Sequence, residues 1–159
     1  MLSIRTATID DVKLLRKLIR ELAEYENELE HVLITEADLA RDGFGPQPKF
    51  RVLLAFWDHM PAGYALFFDF YSTWRGRQMF LEDLFVREAF RGRKVGKGLL
   101  TAVARIAAHD GCHGLRWEVL DWNQSAIEFY KSLGAEFLDG WRLILLKDEP
   151  LRRLAEIAP

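Results

Sequence analysis

The sequence predicts a mixed α/β fold in which helices flank a mostly antiparallel sheet. Three strand-like segments, residues 50–57, 62–71 and 78–86, follow one another with short connections, which is typical of an antiparallel meander. Further along, apolar residues at helical spacing separate two strand-like segments, which predicts one strand–helix–strand crossover. The 159 residues suit one core, so we expect a single domain over residues 1–159.

The elements before the meander are a short strand and two helices. Residues 3–8 alternate between polar and apolar side chains and predict a strand. A helix capped by Asp10 or Asp11 follows, and a second helix begins after Thr35 and ends at Gly43. The first helix has one apolar face, formed by Val12, Leu15, Leu18, Ile19, Leu22 and Tyr25.

After the meander, the pattern predicts helices and strands in alternation. A helix follows residue 95 and stops at Gly111, and residues 115–121 form a strand. Residues 123–135 form a helix that Gly134 closes. Residues 141–147 are predicted to be the last strand, and Pro150 allows a short terminal helix.

Composition and charge exclude several classes of function. A net charge of −2 gives no general attraction to nucleic acid, and no apolar run approaches the length of a membrane span. The polar N-terminus and the lone Cys112 lead us to expect a cytoplasmic protein without an intramolecular disulfide. His109, Cys112 and His113 lie close in sequence, but a fourth ligand is lacking and we expect no metal.

The segment RGRKVGKGLL, residues 91–100, concentrates glycine and positive charge between a strand and a helix. The free amides at a helix start favour an anion, and glycines let a ligand approach the backbone closely. A basic, solvated turn is the alternative. The glycine spacing fits neither a Walker A loop nor the dinucleotide-binding fingerprint.

This segment resembles the pyrophosphate loop of the GNAT acyl-CoA-dependent N-acetyltransferases. The matching residues are Arg91, Gly92, Val95, Gly96, Leu99 and Leu100, whereas Lys94 stands where that family usually has glycine. IRELAEYE, ITEADLARDGFG, STWRGRQMFLEDLFV and VLDWNQSAIEFYKSLGA resemble the polyamine/thialysine branch, the diamine acetyltransferases. The resemblance implies the GNAT fold, acetyl-CoA as cosubstrate, a small-molecule amine acceptor and a homodimer.

Acetyl transfer from a thioester to an amine requires that the amine lose a proton, that the carbonyl oxygen find donors, and that the thiolate gain a proton. By resemblance, Glu82 accepts the amine proton, directly or through water, and Tyr130 protonates the thiolate. Glu82 and Asp83 are adjacent on a strand, so we expect their side chains on opposite faces. The alternatives are pairing of both acids with nearby arginines, and a core position for Tyr130.

The resemblance also implies which residues contact the coenzyme. The backbone of one strand pairs with the pantetheine arm, the glycine-rich loop holds the pyrophosphate, and a helix start closes over the coenzyme. In that order, the residues are Leu84, Phe85 and Val86; Arg91, Gly92, Arg93, Lys94, Val95, Gly96 and Lys97; and Asn123, Gln124, Ser125 and Ala126, with Tyr130 further along the same helix.

For the acceptor, the resemblance implies an acidic channel that suits a polyamine or a lysine-like amine. Its residues are Tyr25, Glu26, Glu82, Asp83, Arg116, Trp117, Glu118 and Asp139, with Asp121 as a further acid. Three alternatives stay open: acetylation of a protein N-terminus or lysine, acetylation of an amine antibiotic, and a CoA-binding regulatory module without turnover.

Overall fold

A computed structural model describes residues 1–157 of the chain. These residues divide into two compact units, Met1–Glu118 and a second unit that starts at Val119. The first unit contains one five-stranded sheet. The expectation of a single domain over the whole chain stays a prediction.

The sheet has the strand order β1-β2-β3-β4-β5, in which the first four strands are antiparallel neighbours and β5 runs parallel to β4. The mixed, mostly antiparallel sheet that the sequence predicts is therefore confirmed. The elements of this unit are β1 (Leu2–Thr6), α1 (Val12–Tyr25), α2 (Glu36–Phe44), β2 (Arg51–Trp57), β3 (Met60–Ser72), β4 (Gly76–Val86), α3 (Val95–His109) and β5 (Leu115–Trp117).

One apolar cluster joins α1 and α2 to the sheet. Leu15 and Leu18 of α1, Leu39 of α2 and Leu54 of β2 are fully buried in this cluster, as the helical spacing of α1 predicts. Burial of one such side chain contributes about 1.5–3 kcal/mol relative to exposure. The cluster thus fixes the two helices on β2, β3 and β4.

Helix starts and turns form where the sequence places cap and turn residues. Thr35 caps α2, since its side-chain oxygen accepts a hydrogen bond from the Asp38 amide at 3.1 Å. The β2–β3 hairpin turns at Asp58 and His59, whose φ angles are 47° and 68°. A two-residue turn with both φ angles positive matches the twist of the strands that it joins.

Two strands predicted in the last third of the chain differ from the structure: one is shorter than predicted, and the other does not form. β5 covers only Leu115–Trp117, whereas the sequence predicts a strand over residues 115–121. Residues 141–147 form no strand, because no segment of residues 1–157 pairs with their backbone. The second unit contains α4 (Gln124–Ser132) and α5 (Asp148–Ala155). In residues 1–157, no helix is both long and apolar enough to cross a membrane.

Candidate active site

A β-bulge lies at Glu82. Leu66 of β3 is opposite Asp83 and Phe67 is opposite Leu81, so Glu82 has no opposing residue. A bulge bends the strand and interrupts the alternation of side chains between the two faces. Regular alternation therefore cannot be assumed at Glu82 and Asp83, and the expectation that their side chains lie on opposite faces stays a prediction. The bulge places an extra acidic residue in β4, directly after the segment that pairs with β5.

Asp83 is held by a buried tyrosine. The Tyr64 hydroxyl donates a hydrogen bond to Oδ2 of Asp83 at 2.7 Å. Tyr64 has an exposed fraction of 0% and belongs to the apolar cluster beneath α1 and α2. Burial raises the pKa of Asp83, the hydrogen bond from Tyr64 opposes this rise, and the Glu26 charge adds to it.

Four carboxyl groups form what we call the acid cluster: Glu26, Glu82, Asp83 and Glu118. Partial desolvation raises the pKa of Glu82, and the charges of Asp83 and Glu118 raise it further. Desolvation also raises the pKa of Glu26, with a contribution from the charge of Glu28. Desolvation is the largest cause of both shifts, and repulsion from neighbouring carboxylates adds to it.

The acid cluster has no basic side chain as a partner. In residues 1–157, the ion pairs of lysine and arginine involve other carboxylates. The alternative in which Glu82 and Asp83 pair with nearby arginines does not hold for this part of the chain. Four carboxyl groups without a basic partner give this region a negative local charge.

An ion pair holds α1 beside the end of β4. Arg87 follows β4 directly, and its Nε and Nη2 atoms donate to the two carboxylate oxygens of Glu21 at 2.7 and 2.8 Å. Its Nη1 atom donates to the Pro61 carbonyl oxygen at 2.9 Å. A bidentate pair of this kind fixes both distance and orientation. It positions the C-terminal end of α1, where Glu26 lies, near β4.

The sheet opens beside the bulge. β5 pairs with β4 only from Met79 to Leu81, so the backbone of Glu82–Val86 has no β5 neighbour in the sheet. Leu84, Phe85 and Val86 lie in this segment. Exposed strand backbone can pair with an extended ligand. Phe85 has a buried side chain, which leaves its main chain as the group available for such pairing.

The glycine-rich loop leads directly into α3. Gly92 and Lys94 both adopt left-handed conformations, with φ angles of 73° and 64°, and α3 begins at Val95. Lys94 thus takes the backbone conformation that glycine takes more readily, at a cost of about 1–2 kcal/mol. Gly96 lies in the first turn of α3, where backbone amides lack intrahelical acceptors.

The cations of this loop are oriented by aromatic rings and by backbone. The Arg91 guanidinium carbon lies 4.4 Å from the centre of the Tyr25 ring, and its Nε atom donates to the Val86 carbonyl oxygen at 3.1 Å. Arg93 lies 5.3 Å from the Trp57 ring centre. In residues 1–157, Arg91, Arg93, Lys94 and Lys97 form no ion pair with a carboxylate, so the loop carries uncompensated positive charge.

The second unit presents a capped helix and a buried tyrosine. The Asn123 side chain accepts a hydrogen bond from the Ala126 amide at 3.3 Å, and Ser125 donates to Asn123 at 3.2 Å. Gln124 donates to the Asp121 carbonyl oxygen at 3.1 Å. Tyr130 is buried, and this burial raises the pKa of its phenol. Its ring contacts that of Phe129.

The remaining predicted acceptor residues have mixed surroundings. Trp117 pairs with Leu81 at the end of the parallel ladder, and the next residue, Glu118, belongs to the acid cluster. The Arg116 guanidinium lies 5.3 Å from the Phe70 ring centre, which assigns it to an aromatic surface of the sheet. Asp139 lies exposed in a turn of the second unit. In residues 1–157, no three His, Cys, Asp or Glu side chains are grouped to hold a metal.

Sequence reasoning missed Tyr64. The signal that could have revealed it is a tyrosine within the apolar segment AGYALFF, since the hydroxyl of a buried tyrosine requires a partner. The bulge at Glu82 has no comparable signal, because it depends on the register between β3 and β4.

A mixed sheet that opens beside a bulge is followed by a loop with uncompensated positive charge at a helix start, which together offer free strand backbone and a binding site for an anion. Residues 13–135 match the acetyltransferase (GNAT) family. The chain belongs to this family, whose members transfer acetyl groups from acetyl-CoA.

Known proteins of similar sequence and structure agree with this assignment. Thialysine N-epsilon-acetyltransferase of Sus scrofa is 40% identical, with 96% of each chain covered. Spermidine/spermine N(1)-acetyltransferase-like protein 1 of Homo sapiens is 35% identical over 96% of this chain and 23% of its own length. An integron cassette protein of V. cholerae has a similar structure, with a TM-score of 0.80, 25% identity and 98% of each chain covered.

Proposed function

We propose that the protein transfers the acetyl group of acetyl-CoA directly to a primary amine of a polyamine or a lysine-like small molecule. The observation that carries this proposal is the acid cluster, whose carboxylates lack a basic partner in the described part of the chain. A site of this kind attracts a substrate that carries more than one positive charge. The similarity to thialysine and spermidine/spermine acetyltransferases supports this substrate class.

Glu82 is the proposed proton acceptor. An alkyl ammonium with a pKa of about 10.4 has no lone pair at neutral pH, so a base must remove its proton before attack. The raised pKa of Glu82 makes this carboxylate a stronger base than an ordinary glutamate. The proton passes from the amine to Glu82, directly or through water, and the amine nitrogen then attacks the thioester carbonyl carbon.

The open segment of β4 is the proposed binding surface for the pantetheine arm. Backbone groups of Leu84, Phe85 and Val86 pair with its amides, and a backbone amide beside the bulge donates to the thioester oxygen. Such a donor stabilises the negative charge that develops on this oxygen during attack.

The glycine-rich loop is the proposed pyrophosphate site. Arg91, Gly92, Arg93, Lys94, Val95, Gly96 and Lys97 supply positive charge and backbone amides at the start of α3. Asn123, Gln124, Ser125 and Ala126 form the helix start that we assign to the rest of the coenzyme. Both are helix starts, where amide groups and the helix dipole favour an anion.

Tyr130 is the proposed proton donor to the departing thiolate. The raised pKa of its phenol keeps the proton on the phenolic oxygen at neutral pH, so the hydroxyl group is available as an acid. As the carbon–nitrogen bond forms and the carbon–sulfur bond breaks, this proton passes to sulfur. The attacking nitrogen releases its second proton to solvent, solvent reprotonates the Tyr130 phenolate, and the products are the amide and free coenzyme A.

The proposed acceptor end comprises Tyr25, Glu26, Glu82, Asp83, Trp117 and Glu118. We also propose a cytoplasmic homodimer. Its support is the segment 141–147, in which Trp141, Leu143, Ile144 and Leu145 are all more than 70% exposed. Exposed apolar groups of this kind mark interaction surfaces. Sedimentation velocity at micromolar concentration tests the dimer.

An amine panel with free thiol as the readout tests the proposed function. Purified protein and acetyl-CoA are combined with spermidine, 1,4-diaminobutane, lysine, thialysine, an aminoglycoside and a peptide with a free N-terminus. We expect the highest kcat/KM for a diamine, a polyamine or a lysine-like amine. Preference for the peptide or the aminoglycoside would contradict the proposal, as would coenzyme binding without thiol release from any amine.

A further inference from the structure

Tyr64 brings a hydroxyl group from the apolar cluster to the acid cluster. The residue is fully buried on β3, its ring contacts that of Phe85 with centroids 6.2 Å apart, and its hydroxyl donates to Asp83 at 2.7 Å. A phenylalanine ring would fill the same volume. The ring of Tyr64 therefore accounts for its packing, and only the hydroxyl group accounts for its hydrogen bond to Asp83.

Asp83 depends on this hydroxyl because its other neighbours do not stabilise a negative charge. The ionisable groups around it are Glu26 at the end of α1, Glu82 on its own strand and Tyr64 on β3. Both glutamates repel a charged Asp83, and no lysine or arginine of residues 1–157 pairs with it. A partly buried carboxylate without a donor is unfavourable, so the Tyr64 hydroxyl is the group that holds Asp83 in place.

We propose that Tyr64 is a positioning residue that orients Asp83 as an anion toward the second, non-reacting ammonium of a diamine substrate. This inference rests on the proposed function. In this proposal Tyr64 acts only through its hydrogen bond to Asp83 and takes no part in the reaction itself. It thereby determines selectivity for substrates with two positive charges over substrates with one.

The electrostatics at Tyr64 agree with this assignment. Burial raises the pKa of the Tyr64 phenol well above its usual value, and the adjacent Asp83 charge adds to the rise. The phenol therefore remains protonated and available as a donor at neutral pH. Loss of the hydroxyl removes the interaction that lowers the pKa of Asp83, so this pKa rises in Tyr64→Phe.

Four variants test the inference: Tyr64→Phe, Asp83→Asn, the double variant and the control Tyr71→Phe. Tyr71 lies on the same strand with its side chain exposed, so its hydroxyl serves as a matched control. We expect Tyr64→Phe to raise KM for 1,4-diaminobutane about fivefold or more, with little change for 1-aminobutane. In the Asp83→Asn background, Tyr64→Phe has no further effect on the KM for 1,4-diaminobutane. The control Tyr71→Phe leaves the KM values for both amines unchanged.

A second readout does not depend on acetyl transfer. Carbon-13 NMR titration of the Asp83 carboxyl group gives its pKa in the parent and in Tyr64→Phe, and we expect a higher pKa in the variant. An unchanged pKa, or an equal change in KM for both amines, overturns the inference and leaves Tyr64 a packing residue. If the parent acetylates no diamine, the selectivity claim fails; if it acetylates no polyamine and no lysine-like amine either, the proposed function fails as well. In both cases the titration still decides whether Tyr64 controls Asp83.

Discussion

The Arg91 guanidinium lies 4.4 Å from the centre of the Tyr25 ring, which joins the glycine-rich loop to the C-terminal end of α1. Arg91 also donates to the last carbonyl group of β4, that of Val86. One cation thus connects three elements: the helix that ends beside Glu26, the open segment of β4 and the proposed pyrophosphate loop. Coenzyme affinity is expected to depend on a residue at the amine end of the site.

Replacement of Tyr25 tests this connection. Tyr25→Ala removes the ring that supports Arg91, and we expect acetyl-CoA affinity to fall about two- to fivefold, since an exposed cation–π contact contributes about 0.5–1 kcal/mol. Tyr25→Phe keeps a ring and is expected to retain the parental affinity. Isothermal titration calorimetry measures both. Equal affinity in all three proteins would show that the Arg91 contact has no role in coenzyme binding.

Gly96 tests the phosphate-binding loop. A Cβ atom at this position would lie 3.5 Å from Cγ2 of Val86, an ordinary van der Waals contact, so the fold accommodates a small side chain. Gly96→Asp adds negative charge at the start of α3, and we expect acetyl-CoA affinity to fall by about tenfold or more because charge near a helix N-terminus acts on a bound anion.

Gly96→Ala is the matched control, because it adds the Cβ atom without charge. We expect it to bind acetyl-CoA nearly as well as the parent. Parental affinity in a folded Gly96→Asp protein would show that the pyrophosphate binds elsewhere.

Glu82→Gln tests the proton acceptor. We expect kcat/KM at neutral pH to fall by about 10²-fold or more, within the range of general base catalysis. Glu82 must be deprotonated to act, so the rate of the parent enzyme falls when the pH drops below the pKa of Glu82. Because this pKa is raised, the fall occurs at a higher pH than an ordinary glutamate would give. The difference in kcat/KM between the parent and Glu82→Gln becomes smaller at high pH, where more of the amine is already deprotonated.

Glu88→Gln is the control for this prediction, since Glu88 is an exposed glutamate just beyond β4. It should retain the parental pH profile. Full activity of Glu82→Gln at neutral pH would leave Glu82 a structural position at the bulge.

Tyr130→Phe separates chemistry from packing in the second unit. The substitution keeps the ring and removes the phenolic proton. If Tyr130 protonates the thiolate, turnover falls by about 10²-fold or more while melting temperature and acetyl-CoA affinity stay close to the parental values. A purely structural hydroxyl gives the opposite result, a stability loss of about 1 kcal/mol with parental turnover per folded molecule. One preparation suffices for all three measurements.

Local patterns predicted most of the fold. The apolar spacing of α1 and the three strands of the meander are confirmed, because each depends on side chains that lie close in sequence. Residues 141–147 have the branched apolar pattern of a strand, yet they form none in the described chain. A strand requires backbone partners as well as suitable side chains, and sequence pattern does not provide these partners.

The site was harder to predict than the fold. Glu82 and Asp83 were identified by resemblance, but their geometry depends on a bulge that arises from the register between β3 and β4. Lys94 replaces the glycine that is usual at this position of the loop, yet the structure gives it a left-handed conformation with a φ angle of 64°. Tyr64 was missed because its partner lies on another strand, 19 residues later in the chain.

The central claim is that the acid cluster selects amines with a second positive charge. Steady-state kinetics with 1,4-diaminobutane and 1-aminobutane test it most directly, because the two substrates share a reacting amine and a carbon chain and differ in one ammonium group. We expect kcat/KM to favour the diamine by about tenfold or more, and the ratio to fall as salt screens the interaction. Equal kcat/KM for the two amines would contradict the claim.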